Sequence, residues 1–211
     1  MKVLLLGASG LTGRQVLAQA VQEGHAVTVL VRDPGQLERV DQQTGVHVGS
    51  VMDPTVVDSL VAGQDAVLST LGTRRSPRGL GSVRLMSRSL QALVPAMERH
   101  AVGRLIILSA LGVGETAATA PRAFRLVFQT ILRPVGRDKA LSEECVRRSA
   151  LNWTLVYAPV LTNGPMTGTY RHGDRLDVRG LAKISRADVA QFMLAQLSDT
   201  HYSRRSVIVS S

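Results

Sequence analysis

The seven residues Gly7-Ala8-Ser9-Gly10-Leu11-Thr12-Gly13 restrict this chain more than any other stretch of it. They follow the apolar run Val3 to Leu6 and precede Val16, Leu17, Ala20 and Val21, which fall on one helix face. A strand, a glycine turn and an amphipathic helix is the context in which spaced glycines carry meaning. Gly7 permits a tight turn, Gly10 lets a backbone approach a bound pyrophosphate, and Gly13 lets helix and strand pack closely. The amides around Ser9, Gly10, Leu11, Thr12 and Gly13, aided by the helix dipole, then form an anion cradle.

The rest of the chain repeats the alternation. Apolar runs recur at Val27–Val31, Val46–Val48, Ala66–Ser69, Leu105–Leu108, Thr154–Tyr157 and Val207–Val209. Between them lie helical patterns, including Val56 to Val61, Leu85 to Met97, Asp138 to Ser149 and Ser185 to Leu197. Ser185 fits an N-cap, with Asp188 three residues on. Near-continuous apolar strands suit a parallel sheet covered on both faces. The fold class expected is α/β: a single Rossmann domain over 1–211, doubly wound, with a mostly parallel sheet of six or seven strands. Two glycine-rich stretches, at about 72–81 and 161–180, break the pattern and read as loops over a substrate site.

The residue at the end of the second strand selects the cofactor. NAD needs a carboxylate there for the ribose 2′-hydroxyl. This chain has Arg32, whose forked guanidinium suits a 2′-phosphate, followed by Asp33, which could still reach a ribose. The expected cofactor is NADP(H).

Composition closes off other functions. The formal net charge is +9, but the basic residues are scattered and aromatics make up 3%, so no nucleic-acid partner is expected. No apolar run approaches the roughly 18 residues of a membrane span, and no membrane partner is expected. One cysteine, Cys145, and no signal-like N-terminus suit a reducing, cytoplasmic location. The five histidines form no ligand cluster, so no metal is expected. Tyr157, Tyr170 and Tyr202 are followed four residues later by Leu161, Asp174 and Ser206. With no Tyr-x-x-x-Lys pair, alcohol–ketone chemistry through a tyrosinate base is disfavoured.

The GASGLTG opening resembles that of the atypical short-chain dehydrogenases/reductases of NAD(P)-binding, NmrA-like kind. The runs Leu17 to Asp33, Val61 to Arg74, Pro165 to Tyr170 and Ala187 to Leu194 are similar to those of the biliverdin-IXβ and flavin (NADPH) reductases of that family. The resemblance implies a monomeric reductase that passes hydride from NADPH to a planar acceptor: a flavin, quinone or tetrapyrrole. A flavin would be substrate, not prosthetic group. It places Ser50 and Val51 at the adenine, and Leu71, Gly72 and Arg74 beside the pyrophosphate and ribose. Ser109, at the end of the fifth strand, would face the nicotinamide and matches the active-site serine. Lys139, at a helix start, would position ribose or substrate. Two departures keep a second reading open. The Tyr/Lys pair is missing, and Val160 stands where the reductases carry a histidine. Both would suit a non-catalytic NADP(H) sensor of NmrA-like type. A nucleotide-sugar epimerase fits less well, for want of a larger substrate domain.

Overall fold

The computed structural model describes residues 1–37, 44–72, 75–76, 79–80, 84–130, 132–178 and 180–211. In chain order the elements are β1 (Lys2–Leu6), α1 (Leu11–Gln22), β2 (Ala26–Val31), β3 (Gly45–Val48), α2 (Pro54–Val61), β4 (Ala66–Ser69), β5 (Arg75–Ser76), β6 (Gly79–Leu80) and α3 (Leu85–Arg99). They continue with β7 (Arg104–Ala110), α4 (Arg122–Gln129), α5 (Arg133–Arg148), β8 (Asn152–Ala158), β9 (Val160–Thr162), β10 (Arg171–Gly173), β11 (Lys183–Ser185), α6 (Arg186–Ala195) and β12 (Arg205–Ser210).

The main sheet runs β10-β12-β8-β7-β4-β1-β2-β3. Seven strands are parallel, and β10 pairs antiparallel with β12 at the edge. The eighth strand exceeds the six or seven expected. Its sequence, Arg171-His172-Gly173, offers no apolar alternation from which a strand could be read. The apolar runs are continuous because both faces are covered. Leu4, Leu6, Leu105 and Ile107 pack with Leu90 and Leu93 of α3. Val3, Leu5, Ile106 and Leu108 pack instead with Val16 of α1 and Val189 and Phe192 of α6.

The two expected loops contain more order than their glycines suggest. The 72–81 stretch holds the β5–β6 hairpin, and the 161–180 stretch holds the end of β9 and all of β10. Helix α5 also starts earlier than expected. Pro134 sits in its first turn, where a proline fits without losing a hydrogen bond. Lys139 is therefore an interior residue of that helix, not its first.

Candidate functional site

Parallel strands bring their carboxyl ends to one edge of the sheet. The turns after β1, β2, β3, β4 and β7 carry most of the residues the sequence singles out. From β1 the chain winds outward to β2 and β3, then returns to β4 on the other side of β1. Ligands of open α/β sheets bind in the crevice at such a reversal.

The glycines at this crevice separate into two kinds. Gly7 has φ +90°, and a Cβ on it would lie 2.9 Å from the Thr70 carbonyl carbon. On Gly13, a Cβ would meet the Gly7 carbonyl oxygen at 2.0 Å. Both are needed by the fold itself. Gly10 has an ordinary φ of −78°. Among the described residues its Cβ would meet one atom, the Gly7 oxygen at 3.3 Å. Gly10 is also the N-cap of α1, and no side chain caps that helix. Among the described residues, open space therefore lies over a helix start whose N-cap supplies no side-chain acceptor, which is a fit for a diphosphate. Thr12 is buried and Leu11 is exposed beside it.

Arg32 is exposed immediately after β2. Asp33 is engaged locally: its carboxylate accepts from Gly35 N at 2.9 Å and Gln36 Nε2 at 3.3 Å. It caps the short turn Pro34–Gln36, and Arg32 beside it is exposed with no carboxylate partner among the described residues. The sequence reading missed Arg14, whose Nη2 donates to the Gln36 carbonyl at 3.0 Å and ties α1 to that turn. Ser50 and Val51 follow β3, half-buried, with Ser50 Oγ accepting from Met52 N at 3.2 Å. Leu71 and Gly72 follow β4, and among the described residues nothing lies within 4 Å of a Cβ on Gly72. Arg74 lies outside the described residues.

The end of β7 holds a polar cluster that the sequence did not reveal. Ser109 is 4% exposed, and its Oγ donates to Glu143 Oε1 at 2.6 Å. The other oxygen of Glu143 accepts from Tyr157 OH at 2.7 Å and Arg147 Nη2 at 3.2 Å. Ser109 and Tyr157 are register partners on β7 and β8, so both point at α5. Burial, the nearby Glu143 charge and its hydrogen bond push the Tyr157 phenol far above its usual range, so the hydroxyl stays protonated. Gly114, at φ +54°, closes over this carboxylate, and a Cβ there would lie 1.8 Å from Glu143 Oε2.

Lys139 precedes Glu143 by one helical turn. Helix α5 runs antiparallel to β8, so its earlier residues lie toward the ligand edge of the sheet. Lys139 is buried, with its ammonium lowered by burial against the opposing pull of Glu143 and Asp138. Asp138 itself belongs to the fold. It accepts from Met86 N at 2.8 Å and Ser87 N at 3.1 Å, capping α3 from a neighbouring helix.

On the far side of the crevice, Asp188 holds the segment after β9. Its carboxylate accepts from Thr167 N at 2.7 Å, Gly168 N at 2.9 Å and Ser185 Oγ at 2.7 Å. Burial opposes its charge, but these donors prevail and hold it below the ordinary carboxylate range. Ser185 caps α6 through Asp188 N, as the sequence suggests. Val160, Met166 and Leu181 leave apolar surface exposed on these segments.

A family model described as NAD(P)H-binding matches residues 7–200. The chain belongs to this NAD(P)H-binding family. Among curated relatives, the uncharacterized protein YwnB of Bacillus subtilis is 25% identical over the whole chain and 99% of its own length. The photosystem II assembly factor Ycf39 of Cyanophora paradoxa is 25% identical, but the match spans 74% of this chain and 44% of that protein. Two solved structures share the fold of this family member. ChuY, an anaerobillin reductase of Escherichia coli O157:H7, has a TM-score of 0.82 at 20% identity, over 99% of this chain and 96% of ChuY. The oxidoreductase ylbE of Lactococcus lactis has a TM-score of 0.81 at 17% identity, over 99% of this chain and 90% of ylbE. No helix among the described residues is long and apolar enough to cross a membrane.

Proposed function

We propose that this family member is an NADPH-dependent reductase of a planar acceptor, a flavin or a related quinone or tetrapyrrole. The observation that carries the reading is the open space over Gly10 at the uncapped start of α1, with Arg32 exposed at the neighbouring strand end. Gly7 to Gly13 would hold the pyrophosphate, Arg32 the 2′-phosphate, Ser50 and Val51 the adenine, and Leu71, Gly72 and Arg74 the intervening ribose. The bound dinucleotide supplies hydride. The protein then orients and desolvates, because a stacked acceptor needs little further acid–base chemistry.

Ser109 stands at the end of β7, where its oxygen would meet the reacting end of the bound ligands. Lys139, one turn nearer the crevice than Glu143, supplies positive charge in a nearly dry setting, suited to ribose hydroxyls or to an anionic acceptor. The apolar surface of Val160, Met166 and Leu181 suits the faces of an aromatic acceptor more than a sugar. The reductase among the structural neighbours supports including a tetrapyrrole in the test. Single-turnover mixing of the NADPH-loaded protein with FMN, riboflavin, a soluble quinone and biliverdin, followed near 340 nm, decides the matter. Oxidation of NADPH by at least one planar acceptor is expected. Tight NADPH binding with no oxidation by any acceptor would refute the enzyme and favour a sensor.

A further inference from the structure

The cluster behind Ser109 determines which way its hydroxyl points. A serine hydroxyl has one hydrogen and two lone pairs, and an ionised carboxylate only accepts. Glu143 receives three donors, from Ser109, Tyr157 and Arg147, and Arg147 also lies 3.7 Å from Glu115. With three donors converging on its two oxygens, Glu143 acts here only as an acceptor. The single Ser109 hydrogen is therefore held by Oε1 at 2.6 Å. The carboxylate cannot swing away, since its residue is 1% exposed and the Gly114 backbone closes over Oε2.

We infer that Glu143 is a positioning residue that turns Ser109 into a hydrogen-bond acceptor toward the ligand, so that the site selects a reacting partner bearing an N–H donor at this point. With the dinucleotide reading above, on which this rests, that donor is the carboxamide NH₂ of the nicotinamide. The usual expectation for a strand-end serine, a hydroxyl donating to the ligand, is reversed. Ser109 is 4% exposed, so a group reaching its oxygen does so with little water to compensate a mismatch.

The polarity can be switched at one atom. In Glu143→Gln, the two donors Tyr157 and Arg147 would hold the amide oxygen at the former Oε2 position. The amide nitrogen then lies where Oε1 was and donates to Ser109 Oγ, releasing the hydroxyl hydrogen toward the ligand.

The test is equilibrium binding, by calorimetry, of NADP⁺ and its 3-acetylpyridine analogue, which keeps the carbonyl and replaces NH₂ by methyl. The parent protein should bind NADP⁺ roughly 3- to 30-fold more tightly than the analogue, the range for one hydrogen bond and its unsatisfied acceptor. Glu143→Gln should bring that ratio to parity or invert it. Ser109→Ala should bring it near one, and carries the test if the glutamine variant does not fold. A purely structural Glu143 would weaken both ligands alike, so an unchanged ratio in Glu143→Gln overturns the inference. Equal binding of the two ligands by the parent overturns it as well. If the parent binds neither dinucleotide, the dinucleotide reading fails, and this inference with it.

Discussion

Gly10 and Gly13 lie three residues apart, and the structure gives them opposite fates on substitution. A methyl on Gly13 would overlap backbone on three atoms: the Gly7 oxygen at 2.0 Å, the Gly7 carbon at 2.7 Å and the Ala8 Cα at 2.9 Å. None can move aside as a flexible side chain would, so α1 must shift off β1. Overpacking of this kind costs about 1–3 kcal/mol or more. For a domain of this size that lowers Tm by roughly 2–12 °C, at about 2–4 °C per kcal/mol. Among the described residues, the Cβ of Gly10→Val meets only the Gly7 oxygen, at 3.3 Å, with a backbone any residue adopts. The loss should stay near the ~1 kcal/mol of a poor N-cap residue. Its side chain instead fills the space over the helix start. Losing dinucleotide contact there should weaken NADPH at least ~100-fold, or about 2.7 kcal/mol. Thermal unfolding monitored by circular dichroism, with calorimetric titration of NADPH into each variant, reads both effects. A stable Gly10→Val protein that binds NADPH like its parent would refute the reasoning. So would a Gly13→Ala protein as stable as the parent.

Arg32→Ala should erase a preference for NADPH over NADH of about ten- to a hundred-fold, leaving NADH affinity nearly unchanged, as competitive titration would show. Tyr157→Phe removes a donor to a buried carboxylate and should cost about 1.5–3 kcal/mol in urea unfolding, without changing the slope m. Asp188 is depressed in the folded protein, so its stabilisation is complete above the unfolded carboxylate value of about 3.9 and is lost as pH falls through the lower folded value. Asp188→Asn should flatten that part of a Tm–pH curve, and an unchanged acid slope would show that the carboxylate does not pin the segment after β9.

The sheet and its ligand edge were legible because each central strand is buried on both faces and each turn carries glycine or a small residue. β1 is apolar at every buried position and β7 is apolar from Leu105 to Leu108, and a sheet covered on both faces hides both sides of Leu4–Leu5 and Ile106–Ile107. The edge was not legible. Strand β10 has one paired side and an Arg-His-Gly sequence, so its existence depends on β12 and not on its own pattern. Helix α4 was also missed, since Pro121 precedes it and no side chain caps it. The largest gap concerned the site. Glu143 and Glu144 are adjacent and look alike in sequence, yet one is buried beneath Ser109 and the other faces solvent in an ion pair with Arg148. Only the β7–β8 register and the crossover of α5 bring Ser109, Glu143 and Tyr157 together. The one local sign was the Lys139–Glu143 spacing of a single helical turn, which alone is compatible with a solvated helix face.

The proposed activity depends first on a dinucleotide held at the start of α1 and read by Arg32. Calorimetric titration of the parent protein with NADPH and, separately, NADH tests this most directly. One-to-one binding of both, with NADPH about ten- to a hundred-fold tighter, is the predicted result. Equal affinities would remove Arg32 from the 2′-phosphate, and heat-silent titrations with no competition between the two would contradict the site itself.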